Sequence, residues 1–495
     1  MKQPFIFIGA AALGISFLTL LCNSFYVIAA AILLLAVPLS LLAIFGKKLS
    51  LQNVIITLVM LLLIAASSVL TIETKIKPTE RLDGSSLKIS ATLTEKPDFA
   101  DTGAFYTFSG YSDRLGRSIK FNLWSDALEL DVGDRINANV RIEKLNEEYK
   151  SMNLAEGVYV TLSDIEIISV KENDSKLLTA IDSLRKYVKN VLSATARGDR
   201  AGILIALITG DRDFISDELY TASKVSGSTH VMVVSGLHIG ILSSILLKLM
   251  QKLKARQRLA IFLSFAVIVF VVILCDFHTS AIRAAVMSLL TLSGSLINRK
   301  ADGLNSLGFS VSVMILLSPC LAGSVAFLLS VAATFGVIFV SPLILSRTRR
   351  KNADGIFLKA LSTLYSAIVV SLSALICTLP ISVKYFGYFS LLSPLASLLI
   401  TFAVSALLVL SAFCVLISPI PVLRLLAKPV LFIASLFGDY IVTVISLLGR
   451  CRKFVVTVEP AQADLCFLLC AIFILAIWLL YKRKTLKGPE KDVSE

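Results

Sequence analysis

Apolar runs of about 17–25 residues alternate with short polar segments along most of this chain, and runs of that length cross a bilayer as helices. They predict a polytopic α-helical membrane protein with about twelve transmembrane helices. Three predicted spans lie within residues 1–72: Phe5–Cys22, Ser24–Phe45 and Leu51–Ile72. Nine more follow a long polar stretch: Val231–Met250, Leu259–Cys275, Ala281–Ile297, Leu304–Pro319, Ser324–Leu345, Ile356–Leu379, Leu391–Ile417, Val430–Leu448 and Leu465–Tyr481.

Residues 73–176 follow a different pattern, in which polar and apolar residues alternate in short runs separated by turn signals. This pattern is typical of half-buried β-strands. The predicted strands are Leu87–Leu93, Phe105–Tyr111, Ser118–Trp124, Arg135–Ile142 and Val158–Ile167. Five short strands without an intervening helix favour a small all-β OB-like domain inserted between the membrane segments.

Aromatic side chains are frequent on these predicted strands. OB folds use such side chains to stack the bases of single-stranded nucleic acid, but aromatic rings also fill barrel cores. The domain carries 14 Lys+Arg and 19 Asp+Glu, whereas strand binding favours a basic groove. We therefore favour a core position for these aromatic side chains and keep base stacking as the alternative. The residues are Phe105, Tyr106, Phe108, Tyr111, Phe121 and Trp124.

The remaining residues are strongly basic, with 34 of the 48 Lys+Arg and 15 of the 34 Asp+Glu. In the twelve-span arrangement most basic clusters fall on one side, which the positive-inside rule assigns to the cytoplasm. Both termini, including the tail 482–495, are then cytoplasmic, and residues 73–176 are extracytoplasmic. The exceptions are Lys384 and the cluster Arg450, Arg452 and Lys453, which this arrangement places on the extracytoplasmic side. Either a span is miscounted, or this cluster has a role on the outer side of the membrane.

Residues 177–230 connect the β domain to the membrane core, residues 231–481. Leu177–Ala196 has a helical amphipathic period that suits a membrane surface. Ala201–Thr209 is apolar but too short to span, and Gly210–Asp211 follows it. A short apolar helix followed by irregular backbone predicts a re-entrant element.

Polar residues cluster at the start of the fourth predicted span. His230, Ser235 and His238 share one helical face, and Gly236 and Gly240 on the opposite face form the GxxxG spacing of closely packed membrane helices. Ionisable groups in a membrane segment are costly and mark a path or a site by default. The alternative is that the histidines only hydrogen-bond to neighbouring helices.

A second polar cluster, residues 276–280, precedes a span that carries Arg283 one turn from its start. This guanidinium could extend to the lipid head groups or hold a phosphate. The sequence favours neither interpretation.

Ser235 and His238 also have the spacing of a nucleophile and base on a helix, as in an intramembrane hydrolase. No third orienting group or oxyanion donor is evident, so we expect no enzymatic activity. The chain has three histidines and no metal-binding spacing, so we expect neither metal nor cofactor. It also lacks a phosphate-binding loop for ATP, so any motor must be a partner.

Two motifs resemble those of the ComEC competence protein family. The first joins Thr209–Arg212 (TGDR) to Gly227, His230 and the block Val234–Gly240 (VSGLHIG). The second is Ser280–Met287 (SAIRAAVM). The order of a short membrane segment, an OB-like domain and a membrane core is also similar to the family.

The resemblance implies an inner-membrane channel that admits single-stranded DNA during natural transformation. Matching positions imply that the path is lined or shaped by Asp211, His230, Ser235, Gly236, His238 and Arg283. Implied partners are the lipid membrane, a separate DNA receptor and a cytoplasmic helicase or motor. A transporter of another anionic solute is the alternative.

The sequence departs from the family pattern in three respects. It ends at Glu495 without the metallo-β-lactamase-like nuclease domain of full-length relatives. Two interpretations stay open: a separate nuclease, or a paralogue that no longer serves transformation. The β domain lacks the cysteine pair of some relatives, so we expect no disulfide in it. Ser397 stands where the family often has an asparagine.

Overall fold

A computed structural model describes most of the chain: residues 4–45, 51–93, 98–100, 103–112, 117–125, 133–171, 176–194, 196–232, 236–254, 256–275, 279–296, 302–348, 356–459 and 462–486. These residues divide into two compact units. Unit 1 comprises residues 1–187 and 272–327, and unit 2 comprises residues 188–271 and 328–495.

Helices dominate the described residues. They are α1 (Pro4–Thr19), α2 (Ser24–Phe45), α3 (Leu51–Thr71), α4 (Lys77–Glu80), α5 (Lys150–Ala155), α6 (Lys176–Ser193), α7 (Asp199–Thr209), α8 (Asp217–Ser226), α9 (Gly236–Lys252), α10 (Gln257–Leu274), α11 (Thr279–Leu296), α12 (Gly303–Leu317), α13 (Val325–Phe335), α14 (Ser341–Thr348), α15 (Ile356–Phe386), α16 (Ser393–Ile417), α17 (Pro421–Gly449) and α18 (Ala463–Leu486).

Six helical stretches among the described residues are long and apolar enough to cross a membrane: Leu51–Glu80, Gln257–Leu274, Val325–Ser346, Leu361–Phe386, Ser393–Ile417 and Arg424–Gly449. Four shorter apolar helical stretches accompany them: Pro4–Thr19, Ser24–Leu34, Gly303–Leu317 and Asp464–Ala476. Large apolar side chains point outward from these helices, as with Phe402 at 75% exposure and Leu425 at 76%. Such a surface suits lipid. The prediction of a helical membrane protein is supported, and the count of twelve spans stays a prediction.

The predicted small barrel is confirmed in unit 1. Its strands are β1 (Ser86–Leu93), β2 (Asp98–Ala100), β3 (Gly103–Ser112), β4 (Arg117–Ser125), β5 (Arg135–Glu143) and β6 (Val158–Lys171). They pair in the order β1-β5-β6-β4-β3-β2, and β1 also pairs with β3, which closes a ring of five strands. The β4–β6 pair is parallel and the others are antiparallel. The expectation of no intervening helix is wrong, since α5 lies between β5 and β6.

The barrel core follows from the two-residue period of its strands, which sends alternate side chains inward. On β1 the buried side chains are Leu87, Ile89, Ala91 and Leu93. Phe108 and Phe121 are fully buried and stack with ring centroids 5.6 Å apart. The base-stacking hypothesis is therefore wrong for these two residues, because their rings fill the core. The side chains of Phe105, Tyr106, Tyr111 and Trp124 lie outside the described residues.

The barrel is held to the membrane helices of unit 1 by charged contacts at its base. The Lys150 ammonium group, on α5, lies 3.2 Å from a Glu80 carboxylate oxygen on α4. The Lys144 ammonium group lies 3.2 Å from Asp83, in the turn between α4 and β1. Both contacts join the connection between β5 and β6 to α4 and the turn that follows it.

Helices α1 and α12 pack closely in unit 1 because both carry glycine at the contact. A Cβ atom on Gly9 would lie 2.6 Å from the Gly308 Cα atom, and one on Gly308 would overlap the Phe5 carbonyl oxygen. The Phe5 amide donates a hydrogen bond to the Asn305 side-chain oxygen at 3.1 Å. Small residues permit such approach, which drives association of membrane helices through close packing.

Unit 2 contains the long helices α15, α16 and α17. A strand β7 (Tyr388–Ser390) joins α15 to α16 and pairs antiparallel with β8 (Val455–Thr457), which lies between α17 and α18. Ser390 on β7 donates a hydrogen bond to the Val225 carbonyl oxygen at 2.6 Å. These contacts place the α15–α16 turn, the α17–α18 turn and the C-terminal end of α8 at one end of unit 2.

We expect Gly9→Ala to destabilise the protein, because the new methyl group would overlap the α12 backbone. Overpacking of this kind costs about 1–3 kcal/mol. The matched control is Gly14→Ala on the same helix, where no atom lies within 4 Å of the Cβ position. Thermal unfolding of the purified full chain in detergent should give a lower midpoint for Gly9→Ala only. Equal midpoints for the two variants would contradict the described α1–α12 contact.

Candidate functional site

The motif Thr209–Gly210–Asp211 forms the turn that ends α7. Gly210 adopts the left-handed conformation at φ 78°, which glycine tolerates and which closes the helix. The Thr209 hydroxyl donates to the Ile205 carbonyl oxygen at 2.9 Å and accepts from the Asp211 amide at 3.3 Å. The Asp211 carboxylate accepts from the Asp213 amide at 3.1 Å. Each motif residue therefore has a role in shaping this turn.

Asp211 also forms an ion pair with Lys189 on α6. The two side chains are 9% and 25% exposed, so the pair is largely shielded from solvent. The Lys189 ammonium group also lies 5.9 Å from the centre of the Phe214 ring. Lys189 was not among the candidate residues, since the helical period only placed it on the polar face of an amphipathic helix.

The loop after α7 folds back onto that helix. A Cβ atom on Gly202 would overlap the Phe214 carbonyl oxygen, so the loop backbone contacts the helix directly. The Asp199 carboxylate accepts hydrogen bonds from the Ser216 amide at 2.7 Å and from the Ser216 hydroxyl at 2.9 Å. The Ser216 hydroxyl caps α8 by accepting from the Leu219 amide. The loop 210–216 is therefore fixed to the start of α7, and both α7 and α8 pack on α17. We call α7, this loop and α8 the α7–α8 hairpin.

His230 is positioned by the turn that follows α8 and by α16. Gly227 ends α8 with φ 70°, and its carbonyl oxygen accepts from the Ser393 hydroxyl at 3.1 Å. A Cβ atom on Gly227 would lie 2.7 Å from the Ser393 Cβ atom. One turn further along α16, the Ser397 hydroxyl lies 3.4 Å from the His230 Nε2 atom. The residue that replaces the family's asparagine is thus the partner of His230.

The expectation of one helical face is wrong for His230. His230 lies in a short 3₁₀ turn, Thr229–Val231, whereas His238 lies on α9, described as Gly236–Lys252. The physical reason is the tight turn at Gly227, which the serines of β7 and α16 hold by hydrogen bonds. Ser235 lies outside the described residues.

The other candidates near the start of α9 are placed as follows. His238 is only 2% exposed, so its ring is enclosed by protein. Among the described residues no atom lies within 4 Å of a Cβ atom on Gly240, so none of them makes the predicted close packing at that glycine.

Arg283 lies in the second turn of α11, in unit 1. Its side chain is outside the described part of the structure, as are residues 276–278. Its two alternative roles therefore stay predictions.

An ion pair between Arg200 on α7 and Asp439 on α17 was missed by sequence reasoning. A signal was present, since Asp439 is the only charged residue between Lys428 and Arg450. A lone carboxylate in an apolar stretch of that length calls for a partner. The partner itself lies far away in the sequence.

Exposed cations surround the end of unit 2 that holds the His230 turn. We call them the basic collar: Lys224, Lys384, Arg450, Arg452 and Lys453. The collar is positioned by backbone contacts, since the Leu391 amide donates to the Phe454 carbonyl oxygen at 3.0 Å. In addition, a Cβ atom on Gly449 would lie 2.5 Å from the Ala222 Cβ atom. Lys384 and the cluster at 450–453 thus lie at the same end as the motif turn.

Acidic side chains are also exposed near this end, at Glu459 and Asp464. The five collar cations outnumber these two carboxylates, which leaves an excess of positive charge. Within the described residues, no group of three or more His, Cys, Asp or Glu side chains is arranged to hold a metal ion.

Comparison with known proteins identifies a family. A family model described as "Competence protein" matches residues 207–483. ComE operon protein 3 of Bacillus subtilis (strain 168) is 29% identical over 309 residues, which cover 61% of this chain and 37% of that relative. The match therefore spans well under half of the relative's length. No solved structure matches.

We expect Asp211→Asn and Lys189→Met each to loosen the loop after α7. The first variant leaves the Lys189 ammonium group without its carboxylate, and the second leaves the Asp211 carboxylate without its cation. Such a loss should raise amide hydrogen exchange over residues 209–216 by roughly tenfold. The control is Lys186→Gln, which removes an ion pair with Asp182 between largely exposed side chains on α6. Unchanged exchange in both test variants, measured on the full chain in detergent, would show that the Lys189–Asp211 pair does not hold the loop.

Proposed function

Because the chain belongs to the competence protein family, we propose that it forms the channel through which a single strand of DNA crosses the inner membrane during natural transformation. The family assignment supports a role in competence and DNA uptake, and candidate membrane spans support a membrane location. Passage of the strand itself is our proposal.

The basic collar is the observation that carries this proposal. A DNA strand is a polyanion, and clustered cations attract it by neutralising phosphates and releasing counterions. The collar lies beside the turn that contains the family motif, whose backbone is held by Ser390 and Ser393. Charge and motif therefore converge at one end of unit 2, which we assign as the extracytoplasmic entrance.

Within this proposal the residues implied by the family motif line or shape the path. They are Asp211, His230, Ser235, Gly236, His238 and Arg283. Asp211 acts by holding the α7–α8 loop through Lys189, and His230 lies beside Ser397. The enclosed ring of His238 shapes the protein next to the path rather than contacting the strand.

The proposed function also implies partner proteins. A separate receptor would deliver the DNA, a cytoplasmic helicase or motor would pull the strand, and a separate nuclease would degrade the other strand. The inner membrane holds the protein, with both termini in the cytoplasm and the β domain outside.

The decisive test replaces four collar cations by glutamine, at Lys384, Arg450, Arg452 and Lys453. We expect uptake of labelled DNA by the host to fall on the order of tenfold, because the phosphate backbone loses its attraction at the entrance. The remaining uptake should also depend less steeply on salt. Membrane abundance of the variant is measured in the same cells.

The matched control removes four exposed cations from the β domain: Lys88, Arg135, Arg141 and Lys171. It changes the net charge equally and should leave uptake near normal. If the collar variant takes up DNA normally, the channel hypothesis fails. Loss of a small-anion flux in that same variant would instead support the anionic-solute transporter.

A further inference from the structure

The Arg200–Asp439 ion pair joins the first turn of α7 to the apolar stretch of α17 in unit 2. Asp439 is about 22 Å from Arg424 and about 15 Å from Gly449, the ends of the apolar stretch on α17, at 1.5 Å per residue. The carbonyl oxygen of Arg200 lies 3.7 Å from the position of a Cβ atom on Gly438, the residue before Asp439. Helix α7 therefore crosses α17 well inside its apolar stretch.

Helix α16 gives an independent measure of depth. A Cβ atom on Gly438 would lie 3.7 Å from Leu407 and 3.5 Å from Leu204. Leu407 is about 21 Å from the first residue of α16 and about 15 Å from its last. Since α16 has no charged residue and its whole length is a candidate span, Leu407 lies close to mid-membrane.

The exposure of the pair is unusual for that depth. The Arg200 side chain is 56% exposed and the Asp439 side chain is 33% exposed, whereas residues Ala201–Thr209 behind them are all buried. A charged guanidinium that faces hydrocarbon is costly, so charged groups at this depth face water-filled cavities or pair within the protein. The Arg200 guanidinium is paired with Asp439, but about half of the side chain is still exposed. We therefore expect water at the exposed side of the guanidinium.

We propose that Arg200 and Asp439 form a hydrated phosphate-binding site at mid-membrane, where a phosphodiester group of the translocating strand pauses. This inference rests on the proposed function. The guanidinium recognises phosphate well because of its planar set of donors. Asp439 competes for the same donors and limits the strength of binding. A conduction path needs that balance, since the strand must enter the site and then leave it.

The test measures whether water and a polyanion reach position 200. Arg200→Cys is introduced into the full chain carrying Cys451→Ser, because Cys451 is the exposed thiol among the described cysteines. Membrane vesicles are treated with a charged thiol reagent that does not cross lipid. Leu204→Cys is the control, since Leu204 is fully buried one turn along α7.

We expect Arg200→Cys to react at least tenfold faster than Leu204→Cys. Equal rates at the two positions would overturn the hydrated site. Phosphate binding is tested in Asp439→Cys, which keeps the Arg200 guanidinium, and we expect single-stranded oligothymidylate to slow its reaction severalfold. Fast reaction of Asp439→Cys that oligothymidylate leaves unchanged would overturn the phosphate assignment. If the Arg200→Cys chain does not accumulate in membranes, the reaction rate of Asp439→Cys is compared with that of Leu204→Cys instead.

The two proposals can fail separately. Oligothymidylate protection of Asp439→Cys together with normal DNA uptake in the collar variant would support the phosphate-binding site and contradict the channel hypothesis. Loss of uptake in the collar variant without protection of Asp439→Cys would support the channel hypothesis and contradict the site. Uptake by Arg200→Gln should fall severalfold, whereas the surface variant Lys186→Gln should be normal.

Discussion

The packing of the α7–α8 hairpin against α16 and α17 is the contact on which unit 2 depends. Backbone polar groups in an apolar environment must find partners, and this hairpin satisfies its own through capping by Ser216 and a tight turn at Gly227. Glycine allows the close approach, since Gly202 admits the following loop and Gly449 admits α8. The hairpin therefore holds its motif residues against the long helices with its turns closed by the hydrogen bonds at Ser216 and Gly227.

Charge is distributed in unit 2 according to depth. Exposed cations lie at the end that carries the motif turn, and a shielded pair holds the loop at Asp211. A half-open pair joins Arg200, in the first turn of α7, to Asp439 inside the apolar stretch of α17. A route for a polyanion needs attraction at its entrance and weaker, balanced binding further in. The family assignment and this arrangement agree, although they rest on unrelated observations.

The β domain shows which structural features hydrophobic periodicity predicts and which it does not. Alternation in runs such as Leu87–Leu93 predicted the strands, and the barrel closes as expected because β1 pairs with two neighbours. The helix α5 was missed, since six residues are too few to show a helical period. The burial of Phe108 and Phe121 could not be read from the sequence either, because an aromatic residue on a strand suits a core and a binding surface equally.

By itself the sequence determined the class of protein, the β insertion, the motif and hence the family, because hydrophobic period and local motifs are properties of neighbouring residues. The tertiary structure decided which polar groups meet. Lys189 with Asp211, His230 with Ser397 and Arg200 with Asp439 join segments from different helices. It also separated His230 from α9, because the turn at Gly227 is held by serines more than 160 residues away. No local pattern encodes such contacts, since they exist only once the helices have packed.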